Sequence, residues 1–126
     1  MKSQKTLLII VGIIIIALFA FFVLKLKNSA ATPGNYDNFT KCLTNNEVKM
    51  FGAYWCPHCE NQKKMFGTSF QYVNYIECSL PNRAGQTEIC KQEGIQSYPT
   101  WEFKGGKRLS GELTFKQLSE NSGCQI

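Results

Sequence analysis

"AYWCPHCENQKKMF", residues 53–66, contains the junction around which this sequence folds: an apolar stretch ends, and two cysteines, a proline and the chain's single histidine follow. The residues at 48–54 carry one charge and apolar side chains on both alternating faces, which is typical of a central strand buried on both sides. Pro57 suits the first turn of a helix, where its missing N–H costs nothing, and we expect that helix from about 57 to 66. The stretch therefore predicts a strand-to-helix junction with a Cys-x-x-Cys pair at the start of the helix.

The segments after residue 36 alternate between helical and strand-like patterns. We expect helices at 37–44 capped by Asp37, at 57–66 with Glu60 and Lys64 paired, at 87–93 before Gly94, and after a capping box of Thr114 and Gln117. We expect strands at 48–54 and 72–76, a turn at 79–85, and a β-hairpin of 99–103 and 107–111 around the glycines at 105–106. The order α, β, α, β, α, β, β, α predicts an α/β fold with a small mixed sheet flanked by helices.

The N-terminal part of the chain is strongly apolar. Residues 7–24 form 18 consecutive positions without a charge or a proline, and a helix of that length spans about 27 Å, close to the hydrocarbon core of a bilayer. We therefore predict one N-terminal transmembrane helix at about 7–26, within a membrane anchor at 1–27. A cleaved signal peptide with small residues at 29–31 is the alternative, but the apolar run is longer than usual and lysines occupy the cleavage region.

The region after the anchor divides into a small, polar linker at 28–36 and one domain at 37–126. All six cysteines lie in this domain, and that density in a small domain is typical of an oxidising compartment. We therefore predict a single-pass membrane protein whose domain lies on the extracytoplasmic side, in a periplasm, at a cell surface or in a thylakoid lumen. The positive charge of the domain is mild and scattered, so no nucleic-acid binding is predicted.

Cys-x-x-Cys pairs serve several chemistries, and the rest of the sequence separates them. Attachment of a c-type haem requires histidine directly after the second cysteine, where Glu60 stands. Zinc usually takes two such pairs, and the other four cysteines form none, so no metal is predicted. A permanent bridge between Cys56 and Cys59 would close a tiny loop and remove little unfolded-state entropy. Thiol–disulfide exchange is the chemistry that the pair fits best.

The position of the pair predicts a role for each sulfur. Cys56 lies near the helix N-terminus, where unpaired N–H groups and the helix dipole stabilise a thiolate, so it is the predicted entry thiol. Cys59, one turn later on the same face, is the predicted resolving thiol that displaces whatever Cys56 captures. Pro57 and His58 are predicted to tune the pair, because a protonated imidazole favours the anion. An ordinary surface role is the alternative for His58.

The sequence resembles the thioredoxin superfamily, through WCPHC after an apolar strand and GIQSYPTWEF further along. It is most similar to the thioredoxin-like domain fused to, or encoded beside, bacterial and plant vitamin K epoxide reductase homologues. The motifs that carry this similarity are KMFGAYWCPHCENQKKMFG, YVNYIECS, GQTEICKQEGIQSYPTWEF and SGELTFKQL, and they cover roughly residues 39–122. The resemblance implies a thioredoxin-like fold in which Cys56 and Cys59 are the redox pair, without any cofactor beyond their own disulfide.

The resemblance also implies a substrate groove beside the cysteines. Pro99 matches the family's cis-proline loop, so it is expected to be cis and to shape a groove for an extended peptide. Trp55, Tyr98 and Thr100 are expected to flank this groove. For the two aromatic side chains, plain packing is an equally good alternative.

Two further cysteine pairs follow from the same comparison. Cys78 and Cys90 match a second cysteine pair of the family, which implies a structural disulfide that braces the loop at 79–85 and contributes about 3 kcal/mol. Cys42 and Cys124 are left over, and they are candidates for a bridge between the first helix of the domain and the C-terminus.

The family implies a disulfide carrier: a vitamin K epoxide reductase-like membrane partner oxidises it at the expense of quinone, and it passes the disulfide to exported protein thiols. A reductant, as in cytochrome c maturation, an isomerase of the same fold, and a non-enzymatic metal-binding or scaffold module are the alternatives. Two departures stand out. Thioredoxins carry a buried carboxylate six residues before the first active-site cysteine, and this chain has Met50 there. The N-terminal strand of thioredoxins is replaced by the short helix at 37–44.

Overall fold

The computed structural model describes residues 2–27 and 35–126. The chain divides into two units, Met1–Thr32 and Pro33–Ile126. The predicted linker at 28–36 lies outside the described residues except for its last two positions.

The first unit contains one helix, α1 (Lys2–Lys27). It begins earlier than the predicted 7–26, because no glycine or proline interrupts the residues before the apolar run. Many of its large apolar side chains are exposed, among them Leu7, Leu8, Ile9, Ile13, Ile15, Ile16, Leu18, Phe19 and Phe22. Within the part of the chain that the structure describes, no helix combines the length and the apolar character needed to cross a membrane. The predicted transmembrane helix is therefore unsupported.

The second unit is built on a mixed sheet. Its four strands are β1 (Lys49–Gly52), β2 (Asn74–Glu77), β3 (Thr100–Glu102) and β4 (Arg108–Ser110). The strand order is β2-β1-β3-β4, in which β1 runs parallel to β2 and antiparallel to β3, and β3 and β4 form an antiparallel hairpin. This arrangement confirms the mixed sheet and the hairpin that the sequence predicts.

Helices and short 3₁₀ turns connect the strands in the predicted order. They are α2 (Asp37–Asn45), α3 (Pro57–Phe66), α4 (Glu88–Gln92) and α5 (Phe115–Ser122), with 3₁₀ turns at Gly67–Tyr72 and Pro81–Arg83. The capping box before α5 is confirmed, since the Thr114 side chain accepts from the N–H of Gln117 and the Gln117 side chain accepts in return.

Three local predictions differ from the structure. Asp37 lies inside the first turn of α2 rather than capping it, because its carboxylate accepts a hydrogen bond from the Ser69 hydroxyl at 2.7 Å. Glu60 pairs with Lys63 at 3.4 Å instead of Lys64, since residues three apart also face each other on a helix. The predicted strands are displaced as well: β1 ends early at a turn that leads into α3, and β2 starts late because a 3₁₀ turn precedes it.

Strand β1 is buried on both faces, as its composition predicts. Met50 and Phe51 are 0% and 1% exposed, and as neighbours in a strand they point to opposite sides of the sheet. The larger apolar cluster includes Met50, Phe66, Trp101, Leu113 and Leu118. The smaller cluster contains Phe51, Cys78, Cys90 and Ile95. The strand that leads to the cysteine pair is therefore held between two cores.

A buried glutamine fixes the helix that follows. The Gln62 side chain is fully buried in α3; its Oε1 accepts from the Leu113 N–H at 2.7 Å and from Trp101 Nε1 at 3.3 Å. Its Nε2 donates to the Leu113 carbonyl at 3.0 Å. A buried polar group with its bonds satisfied locks one orientation of the helix, and the two cysteines at the start of α3 are held by the same contacts.

Two disulfides brace the second unit. Cys42 is bonded to Cys124, 82 positions later, so α2 is tied to the C-terminal segment after α5. Cys78 is bonded to Cys90, 12 positions later, and closes the loop between β2 and α4.

Candidate active site

Cys56 is the N-cap residue of α3, and its side chain acts as the cap. Its backbone is extended, with φ −83° and ψ 118°, and Pro57 then begins the helix. The Cys56 Sγ accepts a hydrogen bond from the Cys59 N–H at 3.4 Å, which satisfies one of the free donors of the first turn. The N–H group and the positive end of the helix dipole both point at this sulfur, so the geometry favours negative charge on it.

The two sulfurs of the pair differ in access. Cys56 and Cys59 are free thiols, 5% and 0% exposed respectively. The pKa of the Cys59 thiol is raised to about 12, chiefly by burial and also by Cys56, against the opposing effects of an Ala53 backbone hydrogen bond and the positive Lys63. Because Cys56 keeps a small exposed fraction and Cys59 keeps none, Cys56 is the residue that an external disulfide or thiol meets first.

The loop before β3 lies against the entry sulfur. The Tyr98–Pro99 peptide bond is cis, and the Cys56 thiol donates to the Tyr98 carbonyl at 3.6 Å. Thr100, predicted to flank the groove, instead turns its side chain inward: it is 4% exposed and its hydroxyl donates to the Ser97 carbonyl at 2.8 Å. The part of this loop that faces Cys56 is thus the backbone at Tyr98.

Trp55 and Tyr98 form an aromatic wall next to the entry sulfur. Their rings meet edge to face, with centroids 6.1 Å apart. Trp55 is 40% exposed, and its Nε1 donates to the Ser79 hydroxyl at 2.7 Å. The Tyr98 hydroxyl accepts from Gln86 Nε2 at 2.8 Å. Hydrogen bonds to neighbouring side chains therefore hold both rings in place.

Two exposed apolar side chains extend this wall, and sequence reasoning missed both. Tyr54 is 45% exposed and its hydroxyl accepts from the Arg83 N–H at 3.1 Å; Leu80 is 38% exposed beside the residue that Trp55 contacts. The Arg83 guanidinium lies over the Trp55 ring, 5.5 Å from its centroid. The apolar rim of Tyr54, Trp55 and Leu80 belongs to loops, where periodicity gives no signal of exposure.

The exposed His58 side chain forms a contact with Glu112. Its side chain is 69% exposed, and Nδ1 lies 2.7 Å from Glu112 Oε1. Asn61 Nδ2 donates to the same oxygen at 3.2 Å. The hydrogen bonds from His58 and Asn61 lower the pKa of the Glu112 carboxyl. A positive charge on His58 would thus be partly balanced by Glu112, while Pro57 sits exposed at the first helical position.

Behind the pair lie three residues that the sequence did not single out: Gly52 beside Cys59, then Tyr75, and Glu77 bonded to Tyr75. The Tyr75 hydroxyl donates to Glu77 Oε2 at 2.8 Å. Gly52 faces both the tyrosine and the resolving sulfur: a Cβ at this position would lie 2.8 Å from Tyr75 Cε2 and 3.0 Å from Cys59 Sγ. Tyr75 and Glu77 stand two apart in β2, so they share a face of the sheet. The alternation along β2 could have predicted that Tyr75 and Glu77 lie on one face of the sheet. It could not have predicted that this face lies next to Cys59.

No group of three or more His, Cys, Asp or Glu side chains in the described parts of the chain is arranged to hold a metal ion.

A mixed sheet flanked by helices, a Cys-x-x-Cys pair that caps a helix, and a cis-proline loop against the first cysteine are the features of a thioredoxin-like domain. The chain is also 39% identical over 90 residues to the protein named thiol-disulfide oxidoreductase LTO1 of Arabidopsis thaliana. The match covers 68% of this chain and 24% of the relative, so the chain spans about a quarter of that protein's length. No family model matches the chain. The similarity supports placing this chain in the thioredoxin-like superfamily, in agreement with the fold.

Proposed function

We propose that this protein is a thiol–disulfide oxidoreductase in which Cys56 exchanges with external sulfur and Cys59 resolves. The observation that carries the proposal is the position of the Cys56 sulfur, which caps α3 and lies 3.6 Å from the Tyr98 carbonyl of the cis-proline loop. A thiolate stabilised by a helix N-terminus is a good leaving group, and its disulfide tends to oxidise other thiols. The name of the relative supports the same class of reaction.

Donation of a disulfide proceeds in two displacements. A client thiolate attacks Cys56 Sγ of the oxidised pair, which forms a client–Cys56 bond and expels Cys59 as a thiolate that takes up a proton. A second client thiolate then attacks the client sulfur of the mixed disulfide and expels the Cys56 thiolate, which the helix N-terminus stabilises. The client is oxidised by two electrons, and the pair is left as the dithiol found in the structure.

The geometry around Cys56 suits an extended client segment. The backbone at Tyr98 can pair with a peptide that runs past the sulfur. The apolar rim of Tyr54, Trp55 and Leu80 is exposed. It can contact the apolar side chains that an unfolded client segment still exposes. We assign this role to thiols of exported proteins, because the two disulfides of the domain itself suit an oxidising compartment.

The reduction potential of the pair tests the proposed direction. We expect the 126-residue chain, equilibrated with glutathione buffers, to give a value nearer about −120 mV than about −270 mV and to oxidise a reduced dithiol peptide. A value near −270 mV together with rapid reduction of insulin would contradict the oxidase and support a reductant of the same fold. A chain that binds one equivalent of metal and exchanges no disulfide would instead be a binding module.

The proposal extends to a membrane setting. The domain would be held at a membrane by α1, on the extracytoplasmic side, and reoxidised there by a vitamin K epoxide reductase-like membrane protein linked to quinone. Support comes from the apolar side chains that α1 exposes and from the resemblance described above. Attachment would raise the effective concentration of the pair near its oxidant without any new contact.

Alkaline carbonate extraction of cell membranes tests this attachment. We expect the chain to stay in the membrane pellet, and the double variant Ile14→Lys, Ile15→Lys to be largely released, because each buried lysine costs about 3 kcal/mol in an apolar layer. The matched control is Gln4→Lys, which adds charge near the start of α1 and should stay in the pellet. Release of the unaltered chain would contradict membrane attachment.

A further inference from the structure

The resolving thiol of Cys59 must exchange a proton although its side chain is out of contact with solvent. Cys59 is fully buried, and burial raises the pKa of its thiol to about 12. The thiol must nevertheless lose its proton each time it attacks a mixed disulfide, and regain one each time it is expelled. The position that holds a carboxylate in thioredoxins is Met50, which is buried and cannot ionise.

A hydroxyl lies across a glycine from the buried sulfur. The position that a Cβ would take on Gly52 is 3.0 Å from Cys59 Sγ and 3.1 Å from the Tyr75 hydroxyl oxygen. The sulfur and the hydroxyl are therefore separated by no more than the sum of these distances, a gap that one water molecule can bridge. Any side chain at this position would fill the space between them. Glycine at position 52 therefore leaves room for a water molecule between the sulfur and the phenol hydroxyl.

The tyrosine is connected in turn to a carboxylate. The Tyr75 hydroxyl donates to Glu77 Oε2 at 2.8 Å, and Glu77 Oε1 accepts from the N–H groups of Ser79 at 2.8 Å and Tyr54 at 3.2 Å. Burial and the bond to Glu77 raise the pKa of Tyr75, so its hydroxyl stays protonated and can act only by accepting one proton while it passes on another. Glu77 is half-buried at the end of β2, which gives this chain of groups an outlet to solvent.

We propose that Tyr75 and Glu77 form the proton path that serves Cys59, in place of the carboxylate that this chain lacks at Met50. The inference rests on the proposed function and adds positioning residues to it. During resolution, Cys59 Sγ attacks Cys56 Sγ, the Cys56–Cys59 bond forms, and the client sulfur leaves with the electron pair of the broken bond and takes a proton from solvent. The proton of Cys59 passes through one bridging water to the Tyr75 hydroxyl, which gives its own proton to the Glu77 carboxylate, and from there it goes on to solvent. Donation of a disulfide runs the same path in reverse.

Other charged groups face this path. Lys63 of α3 lies over the Tyr75 ring, with Nζ 4.3 Å from the centroid, and its charge favours the Cys59 thiolate. Glu60 of the same helix opposes ionisation of Tyr75, and Cys56 opposes that of Cys59. None of these side chains accepts the Tyr75 hydrogen bond, which goes to Glu77.

A two-phase exchange assay tests the path. The reduced 126-residue chain is mixed with excess of an aromatic disulfide reagent that releases a coloured thiolate. Attack by Cys56 gives a phase whose rate grows with reagent concentration, and attack by Cys59 on the resulting mixed disulfide gives a phase independent of it. We expect Tyr75→Phe and Glu77→Gln each to slow the second phase at neutral pH by about tenfold or more. The first phase should not change.

The pH profile separates proton transfer from structural damage. Between about pH 6 and pH 9, the deficit of both variants should shrink as pH rises, because hydroxide takes over the removal of the Cys59 proton. Tyr72→Phe and Glu120→Gln are matched controls outside the path and should reproduce the unaltered chain. Variants whose second phase and pH profile equal those of the unaltered chain, or whose two phases slow together at every pH, would overturn the path while leaving the proposed function intact. An unaltered chain without either phase would overturn both.

Discussion

Replacing Cys59 with serine is expected to turn the protein into a trap for its partners. The variant retains the entry sulfur at the start of α3 but has no second sulfur to displace what Cys56 captures. Mixed disulfides at Cys56 should therefore accumulate. Cys56→Ser should lower exchange to the uncatalysed background without any adduct, because the remaining sulfur at Cys59 is fully buried.

The measurement is an acid quench of cells that express each variant, followed by non-reducing electrophoresis and identification of the attached proteins by mass spectrometry. The double variant Cys56→Ser, Cys59→Ser serves as the control for adducts at other cysteines. A membrane protein linked to quinone among the captured proteins would support the proposed oxidant, and exported proteins would support the proposed clients. Equal loss of exchange in both single variants, with no adduct in either, would contradict the roles assigned to the two sulfurs.

The features of the fold that could be predicted from sequence are those set by contacts between residues close together in the chain. Pro57 at the first helical position and Thr114 with Gln117 at a capping box each describe contacts within one turn of chain, and both are found where expected. The prediction that Asp37 caps α2 was wrong because its carboxylate accepts a hydrogen bond from the Ser69 hydroxyl, 32 positions away. A local pattern cannot show such a partner.

The candidate site divides in the same way. Cys56 and Cys59 lie at the start of α3, so spacing and capping in the sequence were enough to predict the position of the pair. The approach of Tyr98 to Cys56 came from a family resemblance, because 42 positions separate the two residues. The groups behind Cys59, Tyr75 and Glu77, were missed because their alternation in β2 predicts a shared face but not the strand or helix opposite it.

The disulfide between Cys42 and Cys124 should be the larger covalent contribution to stability. It joins positions 82 apart, and the one between Cys78 and Cys90 joins positions 12 apart. In the chain-entropy treatment, closing the longer loop stabilises by about 4.5 kcal/mol and the shorter one by about 3 kcal/mol. A small domain has a free energy of unfolding of only about 5–15 kcal/mol, so loss of the longer bridge should remove a large part of it.

Urea unfolding of two double variants tests this order, with Cys42→Ala, Cys124→Ala as the variant and Cys78→Ala, Cys90→Ala as its matched control. Alanine is chosen because Cys124 is 2% exposed and both members of the shorter bridge are fully buried, so a serine hydroxyl would add a burial cost of its own. The free energy of unfolding should fall more in the first variant, by about 1.5 kcal/mol, the difference between the two loop entropies. The reverse order would mean that the non-covalent tie, in which Asn46 Nδ2 donates to the Ser122 carbonyl at 2.9 Å, already holds α2 against the end of α5 and leaves the bridge little to add.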